Sequence, residues 1–95
     1  MLNRIFKLRF TTYNGLEGWL NISIVITPLP DGKIQSRICK LHPVQLSNGQ
    51  TLSVEDFLNR FDVPTRKAIG ESWIQAAQDY VQEHINEFKI NPQLN

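Results

Sequence analysis

Apolar and polar residues alternate along the first half of the chain and recur every three to four residues along the last third, with the change of period near residue 53. Over residues 2–13, Leu2, Phe6, Leu8 and Phe10 share one parity while Lys7, Arg9 and Thr11 share the other, the pattern of a strand with one face buried; Ile5 breaks it. The next strand is cleaner, with Leu20, Ile22, Ile24 and Ile26 on one side and Asn21, Ser23, Val25 and Thr27 on the other. Between them, Asn14-Gly15-Leu16-Glu17-Gly18 offers two glycines for the positive φ angles of a tight hairpin, so the two strands are expected to pair antiparallel. Pro28-Leu29-Pro30-Asp31-Gly32 marks a second turn, after which residues 33–41 return as a strand with Ile34 and Ile38 on one face. Ser47-Asn48-Gly49-Gln50 separates Val44-Gln45-Leu46 from Thr51-Leu52 and predicts a short hairpin or an extended edge segment. Pro43, which has no N–H for a ladder, argues against a central position for it.

Ser53, with Asp56 three residues on, reads as the cap of a short helix over residues 54–61, whose Val54, Phe57, Leu58 and Phe61 point inward. It must stop before Pro64, and Asp62 is placed to cap the next helix. That helix is predicted over residues 64–88, with Ile69, Trp73, Ala77, Tyr80, Val81, His84, Ile85 and Phe88 forming one apolar stripe. Gly70 inside it costs about 1 kcal/mol relative to Ala and suggests close packing on the sheet or a kink. Residues 89–95, with Pro92, read as a loose tail.

The expected fold is therefore α+β: an antiparallel meander of three to four strands over residues 1–52, then a short and a long helix over residues 53–88 packed on one sheet face, in a single domain. The expected core is Phe6, Leu8, Phe10, the Leu20 to Ile26 row and Ile38 from the sheet, with Phe57, Leu58, Phe61, Ile69, Trp73, Ala77, Tyr80 and Val81 from the helices. The other sheet face is left to solvent or to a partner.

Length and composition narrow the function. Ninety-five residues hold one hydrophobic core, and 41% hydrophobic against 20% charged residues is a folding composition, not a disordered one. One cysteine, Cys39, excludes an intramolecular disulfide and points to a reducing, cytoplasmic setting. Charges interrupt the N-terminal stretch where a signal peptide needs an unbroken apolar run, and no segment approaches the roughly 20 apolar residues of a membrane span.

Net charge is only +1, yet it is unevenly spread. Residues 1–47 carry six bases and two acids; residues 48–95 carry four bases and seven acids. The sheet half is basic and the helical half acidic. By parity, Lys7, Arg9 and Tyr13 share the uncovered face with Trp19, Asn21 and Ser23, and Gln35 and Arg37 can join them. Cations beside aromatics are the anchors of a protein interface and equally of a single-stranded nucleic-acid surface. The plain alternative is a solvated face whose long basic side chains discourage aggregation.

Signals for catalysis are weak. Cys39-Lys40-Leu41-His42 offers two metal ligands where tetrahedral zinc needs more, and His84 lies in the helical stripe, so no metal is expected. Gly70-Glu71-Ser72-Trp73 lies inside a helix and does not match a nucleophile elbow, while Glu71, Asp79, Glu83 and Glu87 read as a solvated helix face. The expectation is a small protein without enzymatic activity or cofactor. It would bind another protein through Lys7, Arg9, Tyr13, Trp19 and Arg37, as an inhibitor, immunity or adaptor protein of a size that suits a mobile genetic element. The alternative is a nucleic-acid-binding accessory protein using the same face.

Overall fold

A computed structural model describes residues 2–12 and 14–88. Its organising element is the strand β2 (Glu17–Pro28), flanked on one side by β1 (Leu2–Thr11) and on the other by both β3 (Ile34–Leu41) and β4 (Val44–Leu46), with β5 (Thr51–Leu52) beyond β4. All pairings are antiparallel. The first three strands form the expected meander, but the sheet has five strands because β2 is long enough to pair β3 along one half and β4 along the other. This corrects the reading of Pro43: it sits in the connection before β4, so Val44–Leu46 is free to pair on both sides.

The three hairpin turns repeat one design. In each, a residue N–H donates to the carbonyl four residues on and its own carbonyl accepts from a glycine N–H: Thr12 with Leu16 and Gly15, Leu29 with Lys33 and Gly32, Leu46 with Gln50 and Gly49. Gly15, Gly32 and Gly49 have φ of 83°, 85° and 90°, and no other described residue has positive φ. The preceding Asn14, Asp31 and Asn48 therefore stay right-handed, and each side-chain oxygen accepts from the N–H two residues on. These are three-residue loops closed by a left-handed glycine, not the two-residue turns that Asn-Gly alone suggests. Gly18 has a different use from the one its place after the turn implied. It lies in β2, where a Cβ would come within 2.8 Å of both the Gln45 carbonyl oxygen and the Phe10 ring, so only glycine lets β1 and β4 close around it.

The helices cover one sheet face. Ser53 caps α1 (Val54–Leu58) by accepting from the Asp56 N–H at 3.1 Å, and Asp62 caps α2 (Val63–Glu83) by accepting from Thr65 N–H at 3.0 Å. The Thr65 hydroxyl first, and then this backbone bond, hold the Asp62 carboxyl below its ordinary value. The expected single long helix ends at Glu83; His84 (φ −110°) breaks it, and a last turn, α3 (Ile85–Phe88), swings Phe88 into the core. The first helix likewise closes three residues earlier than expected. Residues 89–95, expected to be loose, lie outside the described residues.

Leu20, Ile22, Ile24 and Ile26 are fully buried beneath Phe57, Trp73, Ala77, Val81 and Phe88. Val44 and Leu46, which the sequence pattern did not place in the core, are buried with them, while Phe6, Leu8, Phe10, Ile38, Leu58, Phe61, Ile69 and Tyr80 form its half-buried rim. Aromatic rings join the layers: Phe6 stacks on Tyr80 at 4.6 Å between centroids, and Phe57 meets Phe10 and Trp73. Arg4 also turns to this side, its guanidinium 5.4 Å from the centre of the Phe88 ring.

Gly70 is neither wedged against the sheet nor needed for its backbone, since a Cβ there would meet nothing within 4 Å. Gly70→Ala is thus expected to stabilise the protein by about 0.5 to 1 kcal/mol, read as a higher denaturation midpoint in urea. Ile24→Ala, which opens a cavity beneath the helices, should cost about 2 to 5 kcal/mol in the same titration.

Candidate functional site

The outer face of the sheet is built from the odd-numbered residues of β1 and β2, and the register fixes who stands beside whom. Arg9 opposes Trp19, Lys7 opposes Asn21, Ile5 opposes Ser23 and Asn3 opposes Val25. Across β2, Trp19 opposes Gln45 of β4, whereas Ser23, Val25 and Thr27 oppose Lys40, Arg37 and Gln35 of β3. Trp19 is half-buried between the two neighbouring strands, and the Lys7 ammonium lies over its ring, 4.2 Å from the centroid. Such a contact contributes roughly 0.5 to 1 kcal/mol at an exposed site and fixes the position of the cation. Among the described residues, neither Lys7 nor Arg9 has an ion-pair partner. Glu17, opposite Thr11 at the end of the same face, is the nearest acid in register. A shallow depression of about 470 Å³ lies here, walled by Arg9, Glu17 and Trp19 and floored by Gly18.

Of the five residues expected to form a contact surface, Lys7, Arg9 and Trp19 come together. Arg37 is on the same face but opposes Val25, six residues along β2 from Trp19, a separation of roughly 20 Å. Tyr13 lies outside the described residues. Lys40 was not expected: simple parity from Arg37 would turn it inward, but a bulge at Cys39 inserts one residue and brings Lys40 opposite Ser23, on the outer face. The sequence signal for that shift is the change of apolar parity from Ile34 and Ile38 to Leu41, with Lys40 between.

The bulge also creates a polar cluster that sequence reasoning did not see. Ser23 Oγ and His42 Nε2 are 2.7 Å apart, and the Cys39 thiol donates to the Ser23 carbonyl at 3.4 Å. A serine beside a histidine is the start of a nucleophilic site, which also needs a group that orients the imidazole and donors for an oxyanion. Among the described residues nothing bonds His42 Nδ1. Nor do three His, Cys, Asp or Glu side chains gather anywhere among them as a metal site would require. His84 is engaged elsewhere, its Nδ1 2.7 Å from Glu87 Oε2 and its ring on Tyr80. No described helix is long and apolar enough to cross a membrane.

The backbone contributes as much to this region as the side chains. The carbonyls of Glu17 and Asn21 accept from Ser47 and His42 N–H groups, so odd-numbered residues of β2 direct their backbone towards β3 and β4, and even-numbered residues towards β1. Opposed residues of an antiparallel pair share that sense. In β1, then, Leu2, Arg4, Phe6, Leu8 and Phe10 bond β2, while the N–H and C=O of Asn3, Ile5, Lys7, Arg9 and Thr11 face away from the sheet. The Arg4 guanidinium donating to the Asn3 carbonyl at 3.1 Å agrees with this direction.

Comparison of the chain with models of protein families, with curated proteins and with solved structures yields no match. The site is accordingly read from its geometry. Its first consequence is measurable: in amide exchange followed by NMR, Arg4, Phe6 and Leu8 should be protected, while Ile5, Lys7 and Arg9 between them exchange as open edge amides. Uniform protection along β1 would show that its outer edge is covered.

Proposed function

We propose that this chain is a small non-catalytic protein-binding module, acting as inhibitor, immunity or adaptor proteins do by occupying a partner's surface, and that its contact centres on Lys7, Arg9 and Trp19. The observation that carries the reading is the Lys7 ammonium held over Trp19 beside Arg9, with neither cation ion-paired among the described residues, on a sheet face that the described helices leave uncovered. Tryptophan and arginine are the residues most often found as binding anchors, and a face already carrying unneutralised charge favours an acidic partner. Arg37 and Lys40 extend the basic character over the other half of the face. A protein is favoured over nucleic acid because the helical layer carries exposed Glu71, Asp79, Glu83 and Glu87, which would repel a phosphate chain passing beyond the sheet. The Ser23–His42 contact, with no acid among the described residues on the second imidazole nitrogen, supports binding rather than turnover. A free, exposed Cys39 thiol suits a reducing cytoplasm.

The test is affinity capture from a lysate with nuclease digestion before elution. A partner specific to this face should survive the nuclease, be lost from the Lys7→Glu/Arg9→Glu double variant and from Trp19→Ala, and remain on Glu83→Lys/Glu87→Lys. The reverse pattern, release only by the helix variants, would move the working surface to the acidic layer. Capture that disappears with nuclease and falls steeply with salt would establish the nucleic-acid reading instead.

A further inference from the structure

We propose that the free edge of β1 receives an extended segment of the partner as an additional strand, in which acidic residues alternate with apolar ones. The inference rests on the reading of the outer face as a protein contact and specifies how that contact is made. Its basis is the row of N–H and C=O groups at Ile5, Lys7, Arg9 and Thr11 that no described residue pairs, spaced as in a continuous ladder because β1 runs opposite β2 without a register shift. An edge of this length is a template for strand addition. The opposite edge of the sheet, β3, carries the bulge at Cys39, a device that interrupts pairing.

The surroundings of the edge state what the incoming strand should look like. Side chains of an added strand alternate between the two faces of the sheet. On the outer face they arrive beside Lys7 and Arg9, where carboxylates find unneutralised cations. On the inner face they arrive beside Phe6, Leu8 and Phe10, all half-buried, and at the Phe10 end they reach an apolar cavity of about 220 Å³ between Phe10 and Trp73. That cavity can take an aliphatic side chain. Arg4 occupies the inner side nearer the start of β1, so the apolar positions of the segment match the stretch from Phe6 to Phe10.

A second copy of this chain is the other obvious occupant, and charge selects against it. Its β1 carries Arg4, Lys7 and Arg9 and no acid, so a β1–β1 pair would align cations with cations on a common sheet. The same charges that deter self-pairing attract an acidic strand.

The probe is a ten-residue peptide alternating Glu and Val, titrated into the isotope-labelled full chain and followed by NMR, including the Trp19 indole N–H resonance. The amides of Ile5, Lys7 and Arg9 should become protected from exchange, and those of the β3 edge should not. With the peptide added antiparallel to β1, like every other pairing in the sheet, residues opposite the edge-facing amides carry the outer-face side chains, so the peptide's Glu N–H groups make the new bonds and its Val N–H groups point away. N-methylation at the Glu positions should therefore weaken binding by about tenfold or more, and N-methylation at the Val positions should not. Ile5→Pro, which removes an edge-facing N–H at an exposed residue while leaving the β1–β2 bonds in place, should act like the Glu-methylated peptide, and Ile5→Thr should bind as the parent does. Binding that shifts Trp19 yet ignores both N-methylation and Ile5→Pro would overturn strand addition while leaving the outer face as the contact. No binding, binding unaffected by Lys7→Glu/Arg9→Glu, or dimerisation through β1 in sedimentation would overturn the inference; loss of the face itself in the capture experiment would remove both readings.

Discussion

Every layer of this protein depends on β2 being buried on one face and paired on both edges. Four residues, Leu20, Ile22, Ile24 and Ile26, are wholly excluded from solvent, and their strand supplies partners for β1, β3 and β4. At about 25 cal/mol per Å², burying such a row is the largest local contribution a small domain has available. The helices need cover only this face, because a chain of this length has one long amphipathic helix to spend on it. The uncovered outer face follows from that arithmetic of surface, not from any feature of the residues displayed there.

What those residues add is a gradient. Near Gly18 the sheet is squeezed, with Phe10, Gln45 and Leu46 closing on a missing side chain, and Trp19 stands directly beside the constriction. At the other end Val25 is almost buried although it points outward, between Asn3 and Arg37 in register. The two ends therefore present different surfaces, an aromatic and cationic one and a closed, mixed one. The contact proposed above uses the first.

Much of this was legible in the order of residues. The parity of β1 and β2 placed Lys7, Arg9 and Trp19 on one face because strict alternation leaves no other arrangement once Ile22 and Ile24 must be buried. Ser53 and Asp62 marked both helix starts, since their side chains satisfy amides that would otherwise lack partners. The departures have a common origin in contacts between residues distant in sequence. Gly18 was read as a turn residue, but its role comes from β4, some thirty positions on. The Cys39 bulge, which brings Lys40 to the outer face and opens the way for His42 to reach Ser23, is a property of the ladder whose local mark is a single change of parity between Ile38 and Leu41. The break at His84 goes with a tertiary contact: Phe88 packs inward beneath Arg4, a geometry that a straight helix through residue 88 would not give.

The recurrence of one turn three times bears on how the chain reaches this state. Each turn is closed by bonds among five consecutive residues, so the β1–β2, β2–β3 and β4–β5 hairpins can each fix their own register before any distant contact exists. The pairing of Gly18 with Leu46 and of Trp19 with Gln45 cannot; it joins two preformed hairpins across the whole of β3. Docking of the β4–β5 hairpin onto β2 is thus a non-local step, with its entropic cost of loop closure, and it completes the shelf on which Trp19 rests. The surface assigned to recognition is completed by the same contact that joins the two halves of the sheet.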